Sequence, residues 1–224
     1  ARPDIAFFQV LPSVLRFLKA GGDDAVLRGL VALFERRGLS IVGVRDVARD
    51  LTVAEGVLTG PPLSSQNSAD AEKGFALIAA LGRYDIGQAA VIANGRVESI
   101  EGAEGTDRML KRVAEARRAA GASEQGGVLV KRPKPGQDLR VDLPAIGPNT
   151  IENIAEAGLA GVAVMTGHVR AAERERMIAL AGTRGVFVAG ISQAPEHAAT
   201  SDESDTKPLG WLGSVAIDVR AMPD

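Results

Sequence analysis

The sequence of 224 residues contains no cysteine and only two histidines, His168 and His197. Without cysteine there is no disulfide framework, no zinc or iron–sulfur site with thiolate ligands and no thiol nucleophile. A chain without cysteine is also typical of a reducing compartment. Two histidines leave little for a metal site built on imidazole, so any metal would be held by oxygen donors.

An excess of one charge sign and long apolar runs are lacking as well. The 26 Lys and Arg residues are balanced by 28 Asp and Glu residues, which gives a formal net charge of −2. This leaves no basic surplus to neutralise a phosphate backbone, so we expect no general nucleic-acid binding. The longest uncharged stretches, Ile5–Leu15 and Ala157–Val169, fall short of the roughly 20 apolar residues that a membrane helix needs. No signal peptide is visible, and we expect a globular, soluble chain.

What the sequence does contain is an alternation of helical and strand-like segments. Helical spacing of apolar residues predicts helices at 11–19, 23–37, 68–81, in the segment with Met109, Leu110, Val113 and Ala114 on one face, at 150–157 and at 172–180. Short β-branched or apolar runs predict strands at 39–44, 88–93, 96–100, 127–130, 139–143, 161–165 and 185–189. Asn94-Gly95 between two of these runs predicts a β-hairpin. The alternation is typical of an α/β protein whose sheet is partly parallel.

The stretch from Gly56 to Ser68 is rich in Gly, Pro and small polar residues, and it predicts a domain boundary. We therefore divide the chain into an N-terminal part (1–60), a second domain with a mixed sheet (61–190) and a C-terminal tail (191–224). The tail is expected to be mobile.

The first candidate site is Gly105-Thr106-Asp107 at the start of a predicted helix. The N–H groups and the positive end of the dipole at a helix N-terminus bind phosphate, and an adjacent carboxylate could hold the Mg²⁺ that accompanies it. The alternative is that Thr106 is an N-cap and Asp107 a first-turn carboxylate, both of which only stabilise the helix.

The second candidate is a cationic loop that follows a predicted strand. Lys131 and Arg132 are followed by Pro133-Lys134-Pro135, and Arg140 comes shortly after them. Because α/β sheets bind ligands at the carboxyl ends of their strands, these cations could grip a diphosphate, with Arg140 suited to a bidentate contact. A charged surface loop without a ligand is the alternative.

The third candidate is Asp142, which lies between Val141 and Leu143 in a segment predicted as a strand. On a strand its side chain would face away from those two apolar neighbours. Asp142 could bind a metal or orient a water for attack on phosphorus. Alternatively it is an ion-pair partner of the nearby cations.

Taken as a set, four motifs resemble one family, the UDP-2,3-diacylglucosamine pyrophosphatases of lipid A biosynthesis that are unrelated to calcineurin-like metallophosphoesterases. The motifs are Asp85-Ile86-Gly87-Gln88, Glu104-Gly105-Thr106-Asp107, Lys131 with Pro133-Lys134-Pro135, and Arg140-Val141-Asp142-Leu143-Pro144 with Ile146-Gly147. The resemblance runs from Ala1 to about Gly190 and is most specific between Tyr84 and Gly147.

This resemblance implies hydrolysis of the diphosphate of UDP-2,3-diacylglucosamine with Mg²⁺, which releases UMP and 2,3-diacylglucosamine 1-phosphate. By motif, Asp142 corresponds to the essential catalytic aspartate, and Asp107 and Asp142 are the candidate metal ligands. The implied substrate-binding residues are Thr106, Lys131, Lys134, Arg140 and Gln88.

Further expectations follow from the same resemblance. They are a cytoplasmic enzyme peripheral to the inner membrane, transient contact with the membrane surface, a UDP-linked glycolipid as the partner, and a homodimer left open. Family members begin with a hydrophobic strand and a Gly-rich turn, so residues 1 to about 60 would be an incomplete Rossmann-like part.

Two rival functions stay open at this point. One is a non-catalytic module that binds a nucleotide or lipid phosphate, and the other is a hydrolase of a soluble nucleotide diphosphate sugar.

Overall fold

A six-stranded mixed β-sheet organises the chain in the computed structural model, which describes residues 11, 12, 15, 23–121 and 125–192. The strands are β1 (Gly56–Thr59), β2 (Ala89–Ala93), β3 (Arg96–Ile100), β4 (Val128–Lys131), β5 (Ala145–Ile146), β6 (Gly161–Met165), β7 (Arg170–Ala171) and β8 (Phe187–Ile191). The helices are α1 (Asp23–Glu35), α2 (Val44–Val47), α3 (Ser65–Leu81), α4 (Thr106–Ala119), α5 (Pro148–Glu156) and α6 (Arg174–Arg184). Short 3₁₀ turns cover Arg49–Leu51 and Gly82–Tyr84.

The sheet has the order β1-β8-β6-β4-β2-β3, and β5 pairs with β7 in a separate small sheet. Strands β4, β6 and β8 are parallel, whereas β1, β2 and β3 each run antiparallel to the strands they pair with. Helix α5 connects β4 to β6, and α6 lies between β6 and β8. The predicted α/β class with a partly parallel mixed sheet is confirmed.

Helices cover both faces of the sheet. On one face, residues of α4, α5 and α6 pack with Val91, Leu129 and Val162. On the other face, α3 packs on Val130 and its neighbours. Every residue of β2 and β4 is buried, which explains why β2 and the first three residues of β4 are continuous apolar runs rather than alternating ones. Helix α3 lies so close that a Cβ at Gly74 would be 2.5 Å from Val130 Cγ2.

The Asn94-Gly95 hairpin is confirmed, with β2 and β3 pairing antiparallel on either side of it. Both turn residues have positive φ, 50° and 73°, as a type I′ turn requires. The buried carboxylate of Asp70 accepts hydrogen bonds from the backbone N–H groups of Asn94 (2.9 Å) and Gly95 (2.7 Å). Helix α3 therefore holds the hairpin tip.

Two predicted strands are wrong. Residues 39–43 are irregular and Val44 starts a helix, with Leu39 54% and Val42 61% exposed. A β-branched run forms a strand only where a neighbour takes up its backbone hydrogen bonds, and among the described residues no strand pairs with this segment. Residues 138–142 form a turn instead of a strand, because the N–H groups of Val141 and Asp142 both donate to Asp138 O. Asp142 therefore does not sit on a strand opposite its neighbours.

Several element bounds also shift. Helix α3 begins earlier than predicted, since Ser64 rather than Ser68 is its N-cap and accepts a hydrogen bond from Asn67 N. Helix α6 begins at Arg174 because Arg170–Ala171 pair with β5 first. Of the predicted helix at 11–19, residues 11, 12 and 15 are helical and the rest lies outside the described residues. Residues 193–224 of the predicted tail lie outside them too.

Strand β1 pairs antiparallel with β8 although it precedes the predicted domain boundary at residue 61. Immediately before β1, Thr52 bridges to Arg170, and Val53 is fully buried in the core. The large sheet therefore includes residues from before that boundary. No helix among the described residues is long and apolar enough to cross a membrane.

Candidate active site

The candidate site lies at the carboxyl end of β4, the strand that ends in Lys131. Side chains alternate along a strand, so Leu129 and Lys131 share the face that α4 covers while Val130 faces α3. The carboxyl ends of the parallel strands in an open α/β sheet are where ligands usually bind. Lys131, which was predicted as part of the cationic loop, therefore points into the protein, and it is only 6% exposed.

The Lys131 ammonium belongs to a buried chain of hydrogen bonds. Lys131 Nζ donates to Thr106 Oγ1 at 2.9 Å, and Thr106 Oγ1 donates to Glu101 Oε1 at 2.9 Å. The second carboxylate oxygen of Glu101 accepts the backbone N–H of Gln88 at 2.9 Å. These hydrogen bonds join three of the four motif segments, those of Gln88, Thr106 and Lys131. The residue that links them, Glu101, belongs to none of the motifs.

Burial lowers the pKa of Lys131 below the ordinary lysine value of 10.5. The carboxylates of Glu101, Asp107 and Asp142, in that order of strength, act in the opposite direction and favour the charged form. The two sequence-predicted carboxylates therefore both lie close enough to act on one ammonium. A concentration of opposite charges around a buried lysine is a feature of functional sites.

A small cleft of about 280 Å³ opens beside this ammonium at the start of α4. Its walls come from the α4 N-terminus, the end of β4 and the start of α5: Glu104, Gly105, Thr106, Asp107, Lys131, Ala145 and Thr150. Gly105, with φ +82°, is the N-cap, and no side chain caps the helix. The alternative in which Thr106 is the N-cap is wrong, because its hydroxyl bonds with Glu101 and Lys131 instead, whereas Asp107 does lie in the first turn of the helix.

Asp142 is held by Gln137, a residue that the sequence motifs do not include. Gln137 Nε2 donates to Asp142 Oδ2 at 2.6 Å and lies 3.1 Å from Asp142 O. Its Oε1 accepts the backbone N–H of Lys134 at 2.9 Å, and its Nε2 is 3.4 Å from Gln88 Oε1. Gln137 thus ties the cationic loop to the candidate catalytic aspartate.

The outer cations of the loop are paired with acids. Arg140 makes a bidentate contact with Asp138, at 2.9 and 2.7 Å, and its third nitrogen donates to Glu35 at 2.7 Å. These hydrogen bonds hold the pKa of the Asp138 carboxyl below its ordinary value. Lys134 forms an ion pair with Asp85. Arg140 and Lys134 therefore both have acidic partners in the protein. A diphosphate would have to compete with these carboxylates for the two cations.

Arg132, the fourth cation, is 6% exposed and directed under α3, where Nη1 donates to Phe75 O at 3.4 Å. It lies next to Lys131 in sequence and therefore on the opposite face of the sheet. The structure places it on a different face from the other candidate site residues.

The donor set can be tested against the Mg²⁺ that the sequence implies. Within the described part of the chain, no three His, Asp or Glu side chains come together as metal ligands. Mg²⁺ is usually held by one or two carboxylates, with water and substrate phosphates completing its octahedron. Asp107, whose Oδ1 accepts a hydrogen bond from Asn153 Nδ2 at 3.1 Å, and Asp142 supply two such oxygen donors. The residues present fit an ion that the substrate helps to hold.

Sequence reasoning missed Glu101 and Gln137. Glu101 follows the edge strand β3 as an ordinary acidic residue, and its burial depends on contacts with segments that are distant along the chain. Gln137 is a neutral residue in a loop that was predicted to bind a ligand because of its positive charges. Neither has a spacing or composition signal that would have identified it.

Comparison with known proteins identifies the family of the chain. A model of the LpxI N-terminal domain matches residues 1–51, and a model of the LpxI C-terminal domain matches residues 54–189. The chain is 41% identical over 191 residues to the UDP-2,3-diacylglucosamine pyrophosphatase LpxI of Caulobacter vibrioides. That alignment covers 84% of this chain and 68% of the relative. The resemblance predicted from the four motifs is confirmed, and the chain belongs to the LpxI family.

Proposed function

We propose that this protein hydrolyses the diphosphate of UDP-2,3-diacylglucosamine in lipid A biosynthesis, releasing UMP and 2,3-diacylglucosamine 1-phosphate. The observation that carries the proposal is the buried Lys131 ammonium, on which Glu101, Asp107 and Asp142 act together beside a cleft at the carboxyl end of β4. The relative from Caulobacter vibrioides is a UDP-2,3-diacylglucosamine pyrophosphatase, which supports the substrate.

The reaction requires attack of water on one phosphorus and departure of the other phosphate. The water oxygen forms a bond to phosphorus, the P–O bond of the anhydride bridge breaks, and the bridging oxygen leaves with the second phosphate. Asp142, held by Gln137 at 2.6 Å, is positioned to orient the water or accept its proton. Lys131 neutralises charge that develops on the phosphate oxygens. We assign Lys134, Arg140 and Gln88 supporting contacts with the diphosphate or nucleotide.

The reaction would depend on Mg²⁺, with Asp107 and Asp142 as the residues that hold it. Bound Mg²⁺ supplies a Lewis acid that offsets charge on the diphosphate oxygens. The hydroxyl of Thr106 is engaged with Glu101 and Lys131, so Thr106 would bind substrate oxygens through its backbone N–H at the helix N-terminus.

We further propose that the protein acts in the cytoplasm at the inner membrane surface, because the diacyl substrate is a lipid. We also propose that the chain has two domains, an N-terminal domain and a catalytic domain that ends near residue 190. Pairing of β1 with β8 supports starting the catalytic part before Gly56 rather than at residue 61.

The test is release of UMP from UDP-2,3-diacylglucosamine in detergent micelles, with UDP-N-acetylglucosamine as the soluble competitor. The proposal predicts hydrolysis of the lipid substrate only, dependent on Mg²⁺ and abolished by excess EDTA. Equal turnover of both compounds would contradict the lipid assignment. Binding of the lipid substrate without turnover in Mg²⁺ would indicate a binding module, and full activity in EDTA would contradict the metal requirement.

A further inference from the structure

Glu101 is a buried carboxylate that none of the sequence motifs includes. It follows β3, is 6% exposed and accepts two hydrogen bonds, from Gln88 N and Thr106 Oγ1. Buried carboxylates are costly unless they are hydrogen-bonded or paired. Here both Glu101 oxygens accept hydrogen bonds, and the Thr106 hydroxyl bridges Glu101 to the Lys131 ammonium.

The direction of the hydrogen bonds makes Glu101 the end point of the network. A hydroxyl carries one proton and two acceptor lone pairs. Because Lys131 Nζ donates to Thr106 Oγ1, the Thr106 proton is left for Glu101 Oε1, which it meets at 2.9 Å. A lone pair of Thr106 is then directed to Lys131 Nζ, also at 2.9 Å. The orientation of the hydroxyl, and with it the position of the ammonium, is fixed by the carboxylate.

Three carboxylates act on the Lys131 ammonium, and Glu101 is the strongest of them, ahead of Asp107 and Asp142. It is also the only one of the three that is buried with the lysine, because Asp107 is exposed and Asp142 is partly exposed. Asp107 and Asp142 have amide donors of their own, from Asn153 and Gln137. Glu101 is therefore the permanent counter-charge within the interior.

We propose that Glu101 is a positioning residue, which holds the Lys131 ammonium and the Thr106 hydroxyl in one fixed arrangement at the cleft where the diphosphate binds. It acts through these two groups and does not touch the substrate. The inference rests on the proposed function for its consequence in catalysis, whereas the arrangement itself exists in the protein without substrate.

The substitution Glu101→Gln separates this role from simple packing, because it keeps the shape and removes the charge. The introduced amide has one acceptor oxygen and one NH₂ group. The two donors meet different oxygens of Glu101, and an NH₂ group replaces one of these oxygens, so one donor must lose its acceptor. Either way the counter-charge of Lys131 is lost.

The kinetic expectation is a fall in kcat on the order of 10², the scale of a small misplacement in an active site, with KM nearly unchanged. If Glu101 works through Lys131, the double variant Glu101→Gln with Lys131→Met loses little more than Lys131→Met alone. Thr106→Val, which breaks the link, should reproduce the loss in kcat. Thr106→Ser, which keeps the hydroxyl, should retain most of the rate.

Glu98→Gln is the matched control. Glu98 also lies at the β3 edge and has a cationic partner, Arg117, at 2.8 Å, but that pair has no contact with Lys131. The substitution Glu98→Gln removes the same charge and one ion pair. Because that ion pair does not involve Lys131, kcat should stay unchanged. Circular dichroism and the unfolding temperature identify any variant that fails to fold, and the Thr106 pair then tests the link with Glu101 intact.

A measurement without substrate separates this inference from the proposed function. A ¹⁵N spectrum selective for lysine ammonium groups should show Lys131 in the wild type and in Glu98→Gln, assigned by its loss in Lys131→Met. In Glu101→Gln this resonance should shift strongly or disappear. An unchanged resonance, or wild-type kcat in folded Glu101→Gln, would overturn the role of Glu101. If the resonance were lost in Glu101→Gln but the wild-type protein had no pyrophosphatase activity, the arrangement around Lys131 would be supported and the proposed function would be refuted.

Discussion

The contact between Gln137 and Asp142 offers a direct test of whether Asp142 is the catalytic carboxylate. Replacing Gln137 with methionine keeps a long unbranched side chain and removes the amide. The donor at 2.6 Å from Asp142 Oδ2 and the acceptor at 2.9 Å from Lys134 N are lost together. Asp142 then keeps its charge and loses the group that orients it.

The size of the effect follows from these two hydrogen bonds. A hydrogen bond to a charged group contributes about 1.5–3 kcal/mol, and water replaces part of it because both residues are only partly buried. We therefore expect the activation free energy to rise by about 1.5–2.5 kcal/mol, which corresponds to a roughly 10- to 60-fold lower kcat at about 1.4 kcal/mol per factor of ten. Loss of the neutral bond to Lys134 costs about 1 kcal/mol of stability, or about 2–4 °C in Tm for a chain of this size.

The assay is the steady-state rate of UMP release, measured together with Tm. Gln125→Met is the control, since Gln125 also donates through its side-chain amide, to Leu159 O at 2.8 Å, but precedes β4 at the opposite edge of the sheet. That variant should lose stability without losing kcat. If Gln137→Met kept the wild-type kcat while its Tm fell, orientation of Asp142 by Gln137 would have no catalytic importance.

Three further predictions concern the site and the hairpin. Asp142→Ala should abolish hydrolysis while substrate binding and Tm stay nearly unchanged, and a normal rate with lowered Tm would make Asp142 a structural residue. Because burial lowers the pKa of Lys131 and the proposed function requires its charged form, activity should be present at lower pH and be lost as pH rises through that pKa, below the ordinary lysine value; this loss of activity at high pH should be absent in Lys131→Met. Asp70→Ala removes a 1% exposed acceptor of the Asn94 and Gly95 N–H groups, and denaturant unfolding should show a loss of about 2–4 kcal/mol with kcat unchanged.

Local signals in the sequence determined a large part of the fold. The Asn94-Gly95 turn, the strand at Gly161–Met165 and the helix with Met109 and Leu110 on its buried face agree with the structure, because turn chemistry and apolar periodicity act over a few neighbouring residues. The four motifs also identified the family, since their residue types and spacing are visible without coordinates.

Only the tertiary structure decided the rest, and the reason is that strand formation and burial depend on distant partners. The apolar run at 39–44 has strand-like residues but no strand beside it among the described residues, and the segment at Asp142 closes a turn onto Asp138. Glu101 is separated from Lys131 by 30 positions in the sequence, yet the pairing of β2 with β3 and β4 places both beside Thr106. No local pattern encodes that meeting, because the desolvation and the hydrogen bonds that define it arise only when the strands and α4 have assembled.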